Sequence, residues 1–173
     1  MEKWKIDKKQ KRLLDSLFKE IDSKEIKSIL DVGGGRTSVS YLTNRFKDKK
    51  IKSIVYPGDE RKIKPILESV ASNNYQIIES DIRDFKSKKV DLILSHLFLG
   101  EAEKFNKNKF ETILKALFGL KTKYLVIVNR EDDGVNYFSF FKLLPAKSKI
   151  VKVFCLKQES NNNHEYLGMV IKM

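Results

Sequence analysis

Three consecutive glycines, Gly33-Gly34-Gly35, follow the short apolar run Ile29-Leu30-Asp31-Val32 and precede Arg36-Thr37-Ser38, where a helical pattern opens. Glycines at a strand-to-helix turn permit positive φ and let a ligand approach the main chain closely. The helix behind them offers free N–H groups and the positive end of its dipole. That chemistry suits a nucleotide-like or carboxylate-bearing ligand, although a plain tight loop uses the same residues. Further polar groups recur at comparable places downstream: the acids Asp59-Glu60, then Asp81, then Ser95-His96. A carboxylate can accept hydrogen bonds from hydroxyl or amino groups. A histidine can take a proton near neutral pH. Simpler roles compete, since Asp59 and Glu60 also suit a helix N-terminus, Asp81 a turn and His96 a helix end.

These groups need elements to position them. The pattern Leu14, Leu17, Phe18, Ile21 predicts a helix over Asp7–Asp22, within an N-terminal segment (residues 1–24) packed on the sheet. Ile29–Val32 reads as a buried first strand, and Val39, Leu42 and Phe46 carry the following helix to about Lys47. Ile51–Tyr56 is a second strand stopped by Pro57-Gly58. A helix with Ile63, Ile66, Leu67 and Val70 on one face follows, with Pro65 as a candidate kink. Tyr75–Ser80 and Val90–Ser95 are strands three and four. The next helix runs from about Lys109 to Leu120, with Asn108 and Glu111 as a capping box, and Tyr124–Val128 is strand five. An aromatic helix, Val135–Leu144, is expected to turn Phe138 and Phe141 inward. Ile150–Leu156 and Tyr166–Ile171, joined across an Asn-rich turn at residues 160–164, form a closing hairpin. Strands alternating with helices make a parallel α/β sheet in a single domain, residues 1–173. In such sheets ligands bind beyond the C-terminal strand ends. Asp31 with Gly33 and Gly35, Asp59, Asp81, and Ser95 with His96 should therefore converge on one crevice.

At this point the chain resembles the class I S-adenosylmethionine-dependent methyltransferases over nearly its whole length. The resemblance rests on Ile29–Gly35, on Asp59-Glu60, on Glu79-Ser80-Asp81-Ile82-Arg83-Asp84 and on Val90–Leu97, in that order, ahead of the hairpin. It implies a seven-stranded Rossmann-like sheet of order 3-2-1-4-5-7-6, the seventh strand antiparallel, with helices on both faces. It implies S-adenosylmethionine as cofactor and S-adenosylhomocysteine as product. Asp31 would hold the ammonium group, Gly33, Gly34 and Gly35 the methionine part, Asp59 the ribose diol, and Asp81 the adenine amino group, with Ile82 beside the ring. Ser95 would complete the cofactor site. His96 would be the catalytic base, with Glu101 a weaker second candidate. The chain departs from the family at Thr37, where a further glycine is usual, and at Asp59, which lies two or three residues past the usual position of the ribose acid. The alternative is a non-catalytic domain of the same fold that binds nucleic acid or protein. A nicotinamide-binding Rossmann enzyme fits less well, because the final glycine of G-x-G-x-x-G is missing.

Bulk properties bound the partners. The net charge is +12, carried by 29 lysines and six arginines, and nucleic acid is a candidate partner of the lysine-rich surface. The same lysine excess also follows from an A/T-rich coding bias, and arginine is the better phosphate clamp. No segment reads as a signal peptide or a membrane span, and Cys155 stands alone, so a reducing, cytoplasmic setting is expected. Cys155 is expected to be a buried structural thiol and His164 an exposed turn residue. No Cys/His cluster has metal spacing. There is no Asp/Asn-Pro-Pro-Tyr segment and no Pro-Cys nucleophile, which argues against DNA amino-group and cytosine C5 methylation. A core without long insertions points to RNA or protein as the acceptor, or to a partner chain, and leaves a homo- or hetero-oligomer open.

Overall fold

The computed structural model describes residues 6–70, 73–86, 89–100, 102, 109–156 and 165–173. Seven strands form one sheet: β1 (Ser28–Val32), β2 (Lys50–Val55), β3 (Tyr75–Glu79), β4 (Leu92–His96), β5 (Tyr124–Arg130), β6 (Lys149–Leu156) and β7 (Tyr166–Lys172). Their order is β3-β2-β1-β4-β5-β7-β6. The first five strands pair in parallel, and β7 runs antiparallel to both β5 and β6. The order reverses at β1, between β2 and β4, which opens a crevice at the C-terminal ends of those strands.

Among the described residues, the helices beside the strands include α1 (Lys8–Phe18), α2 (Arg36–Arg45), α3 (Glu60–Val70), α4 (Phe110–Gly119) and α5 (Tyr137–Leu143). Because strand side chains alternate faces, each strand contributes to two cores. Ile29, Leu92, Leu94, Val126 and Val170 meet Leu13, Leu14, Leu17 and Phe18 of α1, with Leu42 of α2 and Ile63 of α3. Leu30, Val32, Ile93, Leu125 and Ile127 meet Phe110, Leu114 and Leu117 of α4 and Phe140 of α5. At the N-terminal edge, Asp91 fastens β1 to β4. Its Oδ2 accepts from Lys27 N (3.0 Å), Ser28 N (3.1 Å) and Ser28 Oγ (3.1 Å), far from the strand tips that form the crevice.

Three expectations are corrected. The first helix begins as read, with Asp7 capping Lys9 N and Gln10 N, but ends at Phe18, and Asp22 caps a separate turn, Ser23–Glu25. In α5, Phe138 and Phe141 point outward (80% and 47% exposed), and Phe140 is inward, edge-on to Phe118 at 5.2 Å. The helix starts at Tyr137 after the Asn136 cap, which shifts its inward phase by one residue. Cys155 is exposed, because it lies on edge strand β6 with Val151 and Val153, on a face whose residues stay largely in solvent. Asn108, Glu101 and residues 160–164 lie outside the described residues.

Candidate functional site

A cavity of about 1000 Å³ lies over the C-terminal ends of β1 to β4. Its wall brings together Gly33, Gly34, Gly35 and Thr37 after β1, Tyr56 and Asp59 after β2, Ser80, Asp81, Ile82 and Arg83 after β3, and His96, Leu97 and Phe98 at the end of β4. Seven of the nine residues read from the sequence thus share one space. Asp31 and Ser95 do not line it; both are fully buried.

Each glycine has its own reason to be glycine. Gly33 has φ +74°, and a Cβ there would stand 2.7 Å from the Phe98 ring. A Cβ on Gly34 would meet Ser53 Oγ at 2.1 Å and Tyr75 Oη at 3.0 Å. Gly35 is extended and caps α2, and a Cβ there meets nothing within 4 Å. The empty space at Gly35 is the part of the turn that leaves room for a ligand.

Beneath the turn lies a polar cluster that the sequence reading did not assemble. Asp31 Oδ2 accepts from Tyr75 Oη at 2.7 Å, while its Oδ1 has no hydrogen-bond partner among the described residues. Burial pushes the Asp31 carboxyl up to about 6, against the opposing pull of Tyr75 and the nearby Ser38 hydroxyl. Asp31 therefore sits beneath the loop, off the cavity wall. Tyr75 is separated from Asp31 by two crossovers. The signal that could have found the cluster is polar Ser53 within the apolar run of β2.

Asp59 reaches the cavity although it sits past the strand end. Gly58, at φ +95°, turns the chain, and Asp59 N donates back to Tyr56 O at 3.0 Å. Glu60 instead occupies the first turn of α3, off the cavity wall. The Asp81 carboxylate is clamped by Arg83, whose Nε donates to Oδ1 at 2.8 Å and whose Nη2 pairs with Oδ2. Arg83 holds its pKa below the usual carboxylate range. Ile82 is buried beside it.

His96 is 7% exposed and lines the cavity, and among the described residues its Nε2 has no hydrogen-bond partner. Burial lowers its pKa to about 4, so the ring is neutral near pH 7. Leu97, directly after it, has φ 60°. A non-glycine residue in this left-handed region is strained, and such strain concentrates at functional sites. Phe98 then starts a helical turn at 98–100 and closes the cavity over Gly33. Among the described residues, no group of His, Cys, Asp and Glu could hold a metal ion, and no helix is long and apolar enough to cross a membrane.

No family model matches this sequence, and no curated protein matches it. Solved structures do. The N-methyltransferase NodS from Bradyrhizobium japonicum WM9, solved with S-adenosyl-L-homocysteine, superposes with TM-score 0.72 at 14% identity, over 96% of this chain and 88% of that one. The chain has the class I methyltransferase fold. An rRNA methylase from Escherichia coli gives TM-score 0.65 at 21% identity, over 94% of this chain and 65% of that one. TrmN from Thermus thermophilus gives 0.68 at 12% identity, over 94% and 48%.

Proposed function

We propose that this chain is an S-adenosylmethionine-dependent methyltransferase whose cavity over β1–β4 holds the cofactor. The observation that carries the reading is one cavity walled by the tips of four successive strands, with a glycine turn open at Gly35 and a buried His96 on its wall. Its volume, about 1000 Å³, is at the upper end for small-molecule sites and suits a nucleoside joined to an amino acid. The resemblance to methyltransferase structures, one of them bound to the demethylated product, supports the same ligand.

The residues then divide the work. The loop Gly33–Gly35 lies against the amino-acid part of the ligand, and Asp59 accepts from the ribose hydroxyls. Ile82 flanks the adenine, and the clamped Asp81 keeps acceptor capacity for its amino group. When bound, the cofactor supplies a methyl group on a sulfonium that departs as a neutral thioether. His96, neutral near pH 7 and on the cavity wall, would take the proton that the acceptor gives up on methylation, or pass it to water. Alignment and exclusion of water supply most of the acceleration.

Calorimetric titration tests the cofactor assignment. Wild type should bind S-adenosylhomocysteine in the micromolar range. Gly35→Leu should abolish binding, because its Cβ meets nothing within 4 Å and the branched side chain beyond it fills the room a ligand needs. It should lower stability by only about 1 kcal/mol, the loss of a good N-cap. Absence of wild-type binding at millimolar ligand overturns the assignment and leaves the non-catalytic alternative.

A further inference from the structure

A second cleft, of about 480 Å³, lies on the outer face of α1 against β6. It is lined by Lys8, Lys11, Arg12 and Lys19, with Phe154 of β6 and a single carboxylate, Asp15. The spacing 8, 11, 12, 15, 19 is one stripe of a helix, opposite the Leu13, Leu14, Leu17 stripe that enters the core. The excess of cations is therefore built into the helix. Asp15 is already taken: Lys11 Nζ lies 2.6 Å from its Oδ2, and Tyr41 Oη donates to its Oδ1 at 2.9 Å. Lys8, Arg12 and Lys19 form no ion pair among the described residues. A rise of about 1.5 Å per residue spreads these charges over roughly 16 Å of helix.

Unpaired cations along a groove beside an aromatic ring are the elements of single-stranded nucleic-acid recognition, with phosphates on the cations and a base against the ring. An acidic protein segment would satisfy the charges but offers no base for Phe154. The same helix reaches the first cavity. Gln10, in its first turn, lines that cavity and donates from Nε2 to Tyr166 Oη at 3.0 Å, which ties α1 to β7. Cleft and cavity thus share α1, the cleft along Lys8–Lys19 and the cavity at Gln10.

We propose that the α1–β6 cleft seats the phosphate backbone of single-stranded nucleic acid, and that the strand continues past Gln10 to present a nucleobase to the cavity. The inference rests on the transferase reading for the fate of that base, whereas the binding itself is measured without cofactor.

The test uses the full chain and a short fluorescein-labelled single-stranded RNA of mixed sequence, beside DNA of the same sequence and polyglutamate of equal charge. Wild type should bind the RNA with an affinity that falls steeply between ~50 and ~200 mM salt. The triple variant K8Q/R12Q/K19Q should flatten the slope of log affinity against log salt by about 2, at about 0.7 per lost contact. At ~50 mM salt its affinity should be roughly 100-fold lower. Phe154→Leu, which keeps apolar packing while removing the ring, should weaken binding roughly tenfold. Both variants should keep wild-type thermal melts. S-adenosylhomocysteine binding by the triple variant should be unchanged, so loss of RNA and loss of cofactor are read separately. Equal RNA binding by wild type and triple variant, or polyglutamate binding as tight as RNA binding, overturns the proposal. Tighter binding of RNA than of DNA, or the reverse, identifies which nucleic acid the cleft takes.

Discussion

Asp31 and His96 are both buried ionisable groups at the ends of neighbouring strands, and their proton linkages run in opposite directions. Burial raises Asp31 from 3.8 to about 6, so folding favours its protonated form. Its stabilising contribution is complete below pH 4 and is lost as pH rises through 6. Burial lowers His96 from 6.5 to about 4, so folding favours its neutral form. Its contribution is present above pH 6.5 and is lost as pH falls through 4. Each shift is worth on the order of 3 kcal/mol, so the two largely cancel between pH 4 and 7. Single variants should unmask them. Relative to wild type, Asp31→Asn should be more stable at pH 7.5 than at pH 4 by on the order of 3 kcal/mol, and His96→Gln less stable by a similar amount. Urea melts of the three proteins at the two pH values check both signs. A role of His96 as base adds a kinetic expectation: methyl transfer should stay flat from pH 8 to about 5 and fall as the ring protonates near 4.

At the scale of elements, the glycine turn is three positions under three constraints. Gly33 is strained for any side chain at φ +74° and is crowded by Phe98. Gly33→Ala should therefore cost about 1–3 kcal/mol in backbone strain, and a comparable amount from overpacking. Gly33→Ala combined with Phe98→Gly should recover only the overpacking part, since the Phe98 Cβ itself would stand 2.9 Å from the new methyl, and a double-mutant cycle in denaturant separates it from the backbone strain. The sequence located this turn from apolar run, glycines and helix start, which are all local signals. It did not distinguish the three glycines, because Phe98, Ser53 and Tyr75 arrive from other strands. It placed Asp31 in the cavity for the same reason: side-chain alternation tells which face a residue takes, not what lies between it and a ligand. The aromatic helix shows the same limit, since every phase of Tyr-Phe-Ser-Phe-Phe looks apolar and only the Asn136 cap fixes which ring goes inward.

For the whole molecule, the strand order could be read from the chain only through family resemblance, whereas the crevice followed from physics alone. Parallel strands bring their C-terminal ends to one edge, and reversal of strand order at β1 parts the helices there. The lysine face of the first helix was legible from its period, opposite Leu14, Leu17, Phe18 and Ile21, but not the cleft it makes, since Phe154 arrives from β6 at the far end of the chain. The methyltransferase reading and the non-catalytic alternative share every one of these features, and ligand linkage separates them. A ligand that binds only the folded state at 100 times its dissociation constant stabilises by about 2.7 kcal/mol. For a chain of this size that corresponds to a rise in Tm of roughly 5–10 °C. Wild type with saturating S-adenosylhomocysteine should show that rise, and Gly35→Leu should melt at the same temperature with and without ligand. A rise that persists in Gly35→Leu would move the ligand away from the glycine turn, since the added side chain occupies the space the cofactor needs.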